Sequence, residues 1–588
     1  MTTRGRLARV ALLAVPFAAL AFSPRVTMEQ FELPKHFGLL VLSGLLLAAG
    51  AGRGWRAHPA LLAWLAAVVL SAAGSIAPAS AWLGSYENLE GAVTWILYAV
   101  LFLAGADLDD RGAARFRAAV AVAAFVGAGY ALFQQAGLDP FAGENFRHVR
   151  AFAGNPDFLA QQMAMALPIV LAGRTTRACG AGGVLTFGAV GVLTLVLALT
   201  ASRGGLLGGI AGLAILFVLL RRSRRAEIPA ARNPSRRPWL LVTAACAGGV
   251  IAAEFLLPAE ISLHGRLESL VSGRGLARTR GLMWEGVARA ARERPLFGWG
   301  PDGLGCVFLR TAPPGWADLE GLGTTARKAH DEPLHVLAVC GIAGLGAWIW
   351  VLAGAWRRPG RDPAAAAALG AVLVHNLAGF STAATAPIVW VLLGRLSQVR
   401  EARTCGVSAD AETPWRSLGG LPAIAGLLLA AFGGIRFAAD AWAFRGNEAA
   451  RAGAADRIAP PFLVAARLAP WEPVYPVRAG LGLEQTGRSA DALPLLERAA
   501  ALSPVDGIRV GHVGRVAFAL ASAARNRAGQ EEAYAILLRS VALAPSQPSL
   551  YGAAIMAAQA MGNRADVERL VADLRAREPG WAAKLLGR

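Results

Sequence analysis

The chain has 588 residues, of which 55% are hydrophobic and only 16% are charged, whereas soluble domains carry roughly 25% charged residues. This composition argues against a soluble enzyme and predicts that most of the chain lies in lipid. The formal net charge is +19, but the arginines stand between long apolar runs rather than among exposed aromatic residues. The pattern therefore favours loops that face anionic lipid over nucleic-acid binding.

Apolar stretches of about the length needed to cross a bilayer recur from the N-terminus to residue 436. We count thirteen, with an uncertainty of one or two, because several are short and the two that flank Ser381 are compatible with one kinked segment. The stretches lie near 7–23, 37–51, 59–77, 91–106, 117–134, 158–172, 181–200, 204–220, 239–257, 334–356, 364–380, 383–396 and 418–436.

Arginines concentrate in alternate short connections between these stretches, and short basic loops stay on the cytoplasmic side of a membrane. The N-terminus is therefore predicted inside, and thirteen spans place the long connection over about 258–332 and the C-terminus outside. Alternatively, residues 1–21 form a cleaved signal peptide, which leaves all later orientations unchanged. The basic connections carry Arg4, Arg6 and Arg9; Arg53 and Arg56; Arg111 and Arg115; Arg174 and Arg177; seven arginines from Arg221 to Arg237; Arg357, Arg358 and Arg361; and Arg400, Arg403 and Arg416.

The five cysteines show no spacing typical of a metal site, since none belongs to a Cys-x-x-Cys unit and two lie inside apolar runs. No zinc or disulfide framework is implied. The five are Cys179, Cys246, Cys306, Cys340 and Cys405.

After residue 436 the sequence becomes alanine-rich, with turn residues at a recurring interval. Pro470 and Pro504 are separated by the same interval as Pro545 and Pro579. This interval equals the period of tetratricopeptide repeats, about 34 residues. The middle interval, from Pro504 to Pro545, is longer and implies an insertion or a longer first helix. A glycine stands about halfway along the interval before each later proline, which predicts a turn inside each helix pair at Gly487, Gly529 and Gly562.

These patterns predict an all-α protein with two domains. Residues 1–436 would form a polytopic transmembrane domain, and residues 437–588 a tetratricopeptide-like α-solenoid that recruits a protein partner. An irregular helical hairpin domain is the alternative for the second part. Repeat stacks bury their core against neighbouring repeats, so we expect the second domain to be removable.

Three polar clusters on the predicted outer face are candidates for chemistry, because polar groups at membrane depth are costly. The first is the turn Ser202-Arg203-Gly204-Gly205 between two apolar spans. An arginine here opposes the charge trend of the short loops. Arg203 is either a snorkelling interfacial anchor or a ligand for an anion.

The second cluster lies in the long outer connection, where Arg274, Arg278 and Arg280 precede Trp284 and the turn Pro295-Leu296-Phe297-Gly298-Trp299-Gly300-Pro301. Guanidinium groups match phosphate oxygens, and a glycine-rich turn lets backbone amides approach an anion. A phosphate clamp and a solvated basic loop with a structural turn are both compatible with this pattern.

The third cluster is Ala329-His330-Asp331-Glu332-Pro333-Leu334-His335, followed by Gly341-Ile342-Ala343-Gly344-Leu345-Gly346. Asp331 is predicted to cap a helix that has Pro333 in its first turn, which places His330 at the membrane surface. A histidine there is suited to accept a proton from a hydroxyl. The spacing of five to His335 does not fit a metal pair on one helical face, so His335 is predicted to be a packing or supporting residue.

Taken in chain order, these clusters resemble the O-antigen ligase and polymerase superfamily. The similarity rests on Arg203 after a span, the long loop with Arg280, and His330-Asp331 opening the next span before a Gly-x-x-Gly. It extends over most of residues 60–400, and Asn155-Pro156-Asp157-Phe158-Leu159-Ala160 is similar to a segment that precedes a span in that family. The family commonly has asparagine after the histidine, where this chain has Asp331.

The resemblance implies a glycosyltransferase of the bacterial inner membrane that needs no metal and no cofactor. Its donor would be a glycan on undecaprenyl pyrophosphate, and its acceptor a hydroxyl of lipid A-core, of another glycan or of a protein. His330 would be the general base, while Arg203 and Arg280 would hold the pyrophosphate. Asn155, Asp331 and Arg278 are supporting candidates.

Three functions remain open on the sequence. A ligase that joins a polysaccharide to lipid A-core is the first, and a glycan polymerase or a protein oligosaccharyltransferase shares the same motifs. A membrane scaffold or transporter is the alternative from a different class. A transporter would be expected to show inverted repeats and broken helices, and the sequence shows neither; His375-Asn376 is the only polar pair deep in an apolar run.

Overall fold

The computed structural model describes residues 3–50, 58–141, 148–173, 181–227, 237–257, 276–357, 359–397 and 420–587. These residues form helices, turns and loops and include no strand, which confirms the all-α class. Several predicted features lie outside the described residues: Arg53, Arg56, Arg174, Arg177, Cys179, part of the run from Arg221 to Arg237, Arg274, Arg358, Arg400, Arg403, Cys405 and Arg416.

Each of the thirteen predicted apolar stretches corresponds to a helix, and the two stretches that flank Ser381 are separate helices. The apolar helices are α1 (Thr3–Ala18), α2 (Glu32–Ala49), α3 (Pro59–Ala73), α5 (Ala92–Ala106), α6 (Asp110–Gln135), α7 (Pro156–Ala172), α8 (Ala181–Leu199), α9 (Arg203–Glu227), α10 (Arg237–Leu256), α14 (Glu332–Trp356), α15 (Pro363–His375), α16 (Ala386–Ser397) and α17 (Leu421–Arg451). Four further helices lie in the connections: α11 (Leu276–Glu293), which has 18 residues, and the short helices α4 (Pro78–Leu83), α12 (Leu304–Thr311) and α13 (Trp316–Glu320).

Six of these helices are long and apolar enough to cross a membrane, namely Glu32–Ala49, Asp110–Gln135, Arg203–Arg222, Trp239–Leu256, Glu332–Trp356 and Leu421–Arg451. Five further helices are apolar but shorter: Pro59–Ala73, Ala92–Ala106, Gly183–Leu199, Pro363–His375 and Ala386–Ser397. The chain is therefore a multi-pass helical membrane protein.

Helix α14 is broken at Gly341, where the backbone has φ 67° and ψ −168°. The expectation from the sequence that the chain has no broken helix is therefore wrong for this span. The glycine-rich turn over 295–301 lies against this break and satisfies its backbone groups. The amides of Trp299 and Gly300 donate to the carbonyls of Ala338 and Val339 at 3.1 and 2.9 Å, and the amide of Ile342 donates to the carbonyl of Pro295 at 2.8 Å. The amides of this turn therefore stabilise a broken helix rather than an anion.

The second domain consists of paired helices, as predicted. They are α18 (Ala459–Leu468), α19 (Val474–Gln485), α20 (Ser489–Leu502), α21 (Gly507–Ala523), α22 (Arg527–Leu543), α23 (Pro548–Ala560), α24 (Arg564–Arg577) and α25 (Pro579–Leu585). The long interval reflects longer helices, since α21 has 17 residues against 12 in α19, and α22 has 17 against 14 in α20.

Two details of the repeats differ from the prediction. Gly487 and Gly562 occupy turns with φ of 75° and 74°, but Gly529 lies inside α22, and Arg525 takes the left-handed position of that turn with φ 55°. Helix α17 runs without interruption from 421 to 451, so the predicted domain boundary at 436 falls inside one helix.

Candidate functional site

The turn before α9 is held by its own hydroxyl groups. The amide of Ser202 donates to the Thr200 hydroxyl at 3.2 Å, and the Ser202 hydroxyl accepts from the amide of Gly205 at 3.1 Å, which caps the helix. Ala201 between them has φ 54°. Arg203 is the first residue of α9, and its side chain is exposed.

Helix α11 contributes Arg280 and Trp284. Arg280 is half-buried, whereas Arg278, two residues earlier, is exposed. The indole of Trp284 donates to the carbonyl of Ala329 at 2.9 Å. This hydrogen bond ties α11 to the backbone immediately before His330.

His330 has an unusual backbone conformation with φ 49°. Asp331 caps α14 as predicted, since its carboxylate accepts from the amide of Leu334 at 2.7 Å. The amide of Glu332 donates to the carbonyl of Asn376 at 2.9 Å. The His330 ring contacts Phe380 edge-on, with 4.9 Å between the ring centroids. The residues on both sides of His330 thus fix its position.

Arg203, Arg280 and His330 come from three distant segments and line one cavity of about 900 Å³. Asn155, which caps α7 by accepting from the amide of Asp157 at 2.8 Å, lines the same cavity. Arg278 and Asp331 do not line it. Of the six candidates, the structure therefore brings four together, and Asp331 supports one of them through the helix cap.

The cavity also contains residues that no sequence pattern singles out. Lys328 is buried and forms an ion pair with Glu90, which also accepts from the Tyr98 hydroxyl at 3.2 Å. Lys328 and Glu90 are 238 positions apart in the sequence, and no local sequence pattern predicts that they pair. Further lining residues include Glu87, Asn88, Asp157, Trp284, Trp316, Glu320, Arg327 and Phe380.

Asp302 follows the glycine-rich turn and holds the loop that carries the cavity residues Glu87 and Asn88. Its carboxylate accepts from the amide of Ser85 at 2.7 Å, the side chain of Asn88 at 2.6 Å and the amide of Glu90 at 3.1 Å. Asp302 has φ 58° and is buried. This part of the long connection is thus structural and shapes the cavity indirectly.

The predicted polar pair His375-Asn376 belongs to a larger hydrogen-bond network beside the cavity. The Gln161 side chain donates to His375 Nδ1 at 3.3 Å, and the Asn376 side chain donates to the Ser381 hydroxyl at 2.9 Å. The amide of Ser381 in turn donates to the Glu332 carboxylate at 2.9 Å. His375 itself lines the cavity. The pair therefore connects the cavity to the Glu332 carboxylate at the start of α14 through hydrogen bonds.

Burial lowers the pKa of His330, and the Arg280 guanidinium lowers it further, whereas the Asp157 carboxylate acts in the opposite direction. The imidazole is therefore neutral at pH 7, the form that a general base requires. His335 is fully buried, and neither of its ring nitrogens has a hydrogen-bond partner among the described residues. His335 thus packs inside the protein and does not share the cavity.

Residues 188–349 match a family model described as O-antigen ligase. The chain contains an O-antigen ligase family domain. That domain includes Arg203, Arg280 and His330 but not Asn155. A search of curated proteins finds no match to the chain.

Two solved structures are similar in part. The first is described as the crystal structure of YrrB, a TPR protein with an unusual peptide-binding site, with 19% identity, a TM-score of 0.22, and coverage of 29% of this chain and 87% of that chain. The second, the APC/C hetero-tetramer Cut9-Hcn1, has 14% identity, a TM-score of 0.25, and coverage of 82% and 96%. Both TM-scores are too low to establish a shared fold, so the repeat architecture is inferred from the helix pairs themselves.

Proposed function

We propose that this protein transfers a glycan from undecaprenyl pyrophosphate to a hydroxyl of lipid A-core at the periplasmic face of the inner membrane. The observation that carries the proposal is the convergence of Arg203, Arg280 and His330 on one cavity within the O-antigen ligase domain. Two guanidinium groups suit a pyrophosphate, and a neutral imidazole suits proton removal.

In this reaction the acceptor oxygen attacks the anomeric carbon of the donor sugar. The bond between that carbon and the pyrophosphate oxygen breaks, and the hydroxyl proton passes to the imidazole of His330. Arg203 and Arg280 stabilise the negative charge that develops on the leaving undecaprenyl pyrophosphate. The donor is already activated by its pyrophosphate, so no nucleotide sugar takes part.

The direct test supplies the purified protein with lipid-linked glycan and three acceptors in parallel, namely lipid A-core, a second lipid-linked glycan and a protein. Glycosylated lipid A-core is the expected product. A lengthened lipid-linked glycan would identify a polymerase instead, and a glycoprotein would identify an oligosaccharyltransferase. No product with any acceptor would contradict the proposed activity.

The proposed roles of the three residues predict different defects. His330→Ala should lower turnover by about 10²-fold or more and leave donor binding intact. Arg203→Ala and Arg280→Ala should also weaken donor binding, because losing a charged hydrogen-bond partner costs roughly 1.5–3 kcal/mol. Lysine at either position should restore only part of the affinity, since it lacks the bidentate geometry.

Binding of a lipid pyrophosphate analogue, measured beside glycan transfer, separates these effects. Arg278→Ala is the matched control, because Arg278 lies on the same helix as Arg280 but does not line the cavity. Full transfer by His330→Ala would exclude the general-base role. Equal donor affinity in the wild type and both arginine variants would exclude the clamp.

A further inference from the structure

The end of the repeat domain is joined to the long connection of the membrane domain by reciprocal helix caps. The carboxylate of Asp318 in α13 accepts from the amides of Gly580 and Trp581 at the start of α25, each at 2.8 Å. In return, the carboxylate of Glu578 accepts from the amide of Asp318 at 2.9 Å. The indole of Trp581 also donates to the carbonyl of Ala317 at 2.8 Å. Each short helix thus satisfies amides at the start of the other.

Neighbouring contacts extend this junction along the connection. The amide of Gly315 donates to the carbonyl of Arg577 at 2.8 Å, and the amide of Gly323 donates to the side chain of Gln547 at 2.8 Å. Glu578 and Gln547 are fully buried. The repeats therefore do not bury their core only against one another, as the sequence analysis expected, but dock on residues 312–323 of the first domain.

The docked segment forms one wall of the cavity. Trp316, Glu320 and Thr324 lie between or beside the docking contacts and line the cavity. Trp316 is buried, and its indole donates to the carbonyl of Thr324 at 2.9 Å, which folds the segment onto itself. The same stretch of chain continues to His330 and lines the cavity at several further positions, from Thr325 to Lys328.

We propose that the C-terminal helix of the repeat domain fixes the acceptor side of the cavity, and that Asp318, Glu578 and Trp581 are positioning residues. The inference rests on the proposed function, in which Arg203 and Arg280 hold the donor pyrophosphate. We assign the wall from α13 to His330 to the acceptor, because this wall ends at the base, and the base removes a proton from the acceptor hydroxyl. The repeat domain thereby acts as a structural part of the acceptor site.

The test compares steady-state transfer to lipid A-core oligosaccharide in Asp318→Ala, Asp318→Asn and Asp491→Ala. Asp318→Ala removes both caps on α25, and we expect the acceptor KM to rise about tenfold, because misplacing binding groups by about 1 Å can cost up to 10²-fold. The kcat at saturating acceptor and the affinity for a lipid pyrophosphate analogue should stay within about twofold. Asp318→Asn keeps one acceptor oxygen and should fall between Asp318→Ala and the wild type.

Asp491→Ala is the matched control, because Asp491 is an exposed carboxylate like Asp318 but lies within the repeats and forms an i,i+3 ion pair with Arg488. Its acceptor KM should equal that of the wild type. Hydrogen exchange gives a second readout that needs no acceptor. Amides of residues 316–320 should exchange faster in Asp318→Ala and not in Asp491→Ala.

Trp581→Phe keeps an aromatic ring and removes the hydrogen bond to Ala317, so it serves if Asp318→Ala does not fold. An unchanged acceptor KM in both Asp318→Ala and Trp581→Phe would overturn the positioning role. So would a fall in kcat or in donor affinity as large as the rise in KM. These outcomes leave the proposed function intact as long as His330→Ala still lowers turnover by about 10²-fold or more, so the two proposals fail separately.

Discussion

At the scale of single residues, the cavity is marked by backbone conformations that side-chain-bearing residues rarely adopt. Ala201 and His330 both line the cavity and have φ of 54° and 49°. Such conformations cost roughly 1–3 kcal/mol each and persist only where the surroundings hold them. For His330 the surroundings are the Trp284 hydrogen bond to Ala329 and the Asp331 cap. The strained backbone at His330 therefore lowers the stability of the protein and fixes the orientation of this imidazole.

The lowered pKa of His330 predicts the pH dependence of transfer. A base must be neutral, so kcat/KM should fall as the pH drops through the pKa of His330, and the half-maximal point should lie below about 6.5, the ordinary histidine value. Asp157→Asn removes a carboxylate that favours the protonated ring. The half-maximal point should then move to still lower pH.

The measurement is kcat/KM against pH, because kcat/KM reports the pKa of the free enzyme. Asn155→Ala is the control. Asn155 caps α7, the helix that carries Asp157, and lines the same cavity, but it has no charge. A half-maximal point above the ordinary histidine value, or one that does not move in Asp157→Asn, would contradict the assignment of His330 as the titrating base.

At the scale of elements, the break in α14 makes a specific demand on Gly341. Its backbone conformation is accessible almost only to glycine, and a Cβ there would stand 2.2 Å from the carbonyl oxygen of Leu296. Gly341→Ala should destabilise the protein by about 1–3 kcal/mol from backbone strain alone, with the steric clash in addition. The readout is thermal unfolding in detergent.

Gly346→Ala in the same helix is the matched control, because a Cβ at Gly346 meets no atom within 4 Å. That change should be neutral or stabilise by roughly 0.5–1 kcal/mol, since alanine favours a helix over glycine. Equal stability of the two variants would show that the glycine-rich turn does not depend on the break.

The thirteen apolar helices could be predicted from the sequence because each is defined by its own run of apolar residues. His330 and Arg203 could be singled out because polar residues stand out at the ends of such runs. Arg280 could be singled out as one of the arginines that precede the glycine-rich turn in the long connection. The role of the turn over 295–301 could not be predicted, since its partners lie at residues 338–343 and only the fold brings them together. The pairing of Lys328 with Glu90 and of Asp318 with α25 could not be predicted either, because these partners are also distant in the sequence.

At the scale of the whole molecule, the contacts between the domains require the C-terminus and the cavity to lie on the same side of the membrane. Trp581 donates to the carbonyl of Ala317, next to the cavity residue Trp316. A reporter fused after Arg588 therefore also reports the side on which the cavity lies. Because the arginine pattern predicts an N-terminus inside and the apolar stretches predict thirteen spans, alkaline phosphatase fused there should be active.

A fusion of the same enzyme after Arg222, in a predicted cytoplasmic connection, should be inactive, because this phosphatase requires an oxidising compartment for its disulfides. A green fluorescent reporter should give the opposite pattern at the two positions. Phosphatase activity after Arg222 together with none after Arg588 would invert the predicted topology. The cavity would then face the cytoplasm, where a periplasmic acceptor cannot reach His330, and the proposed transfer to lipid A-core would fail with it.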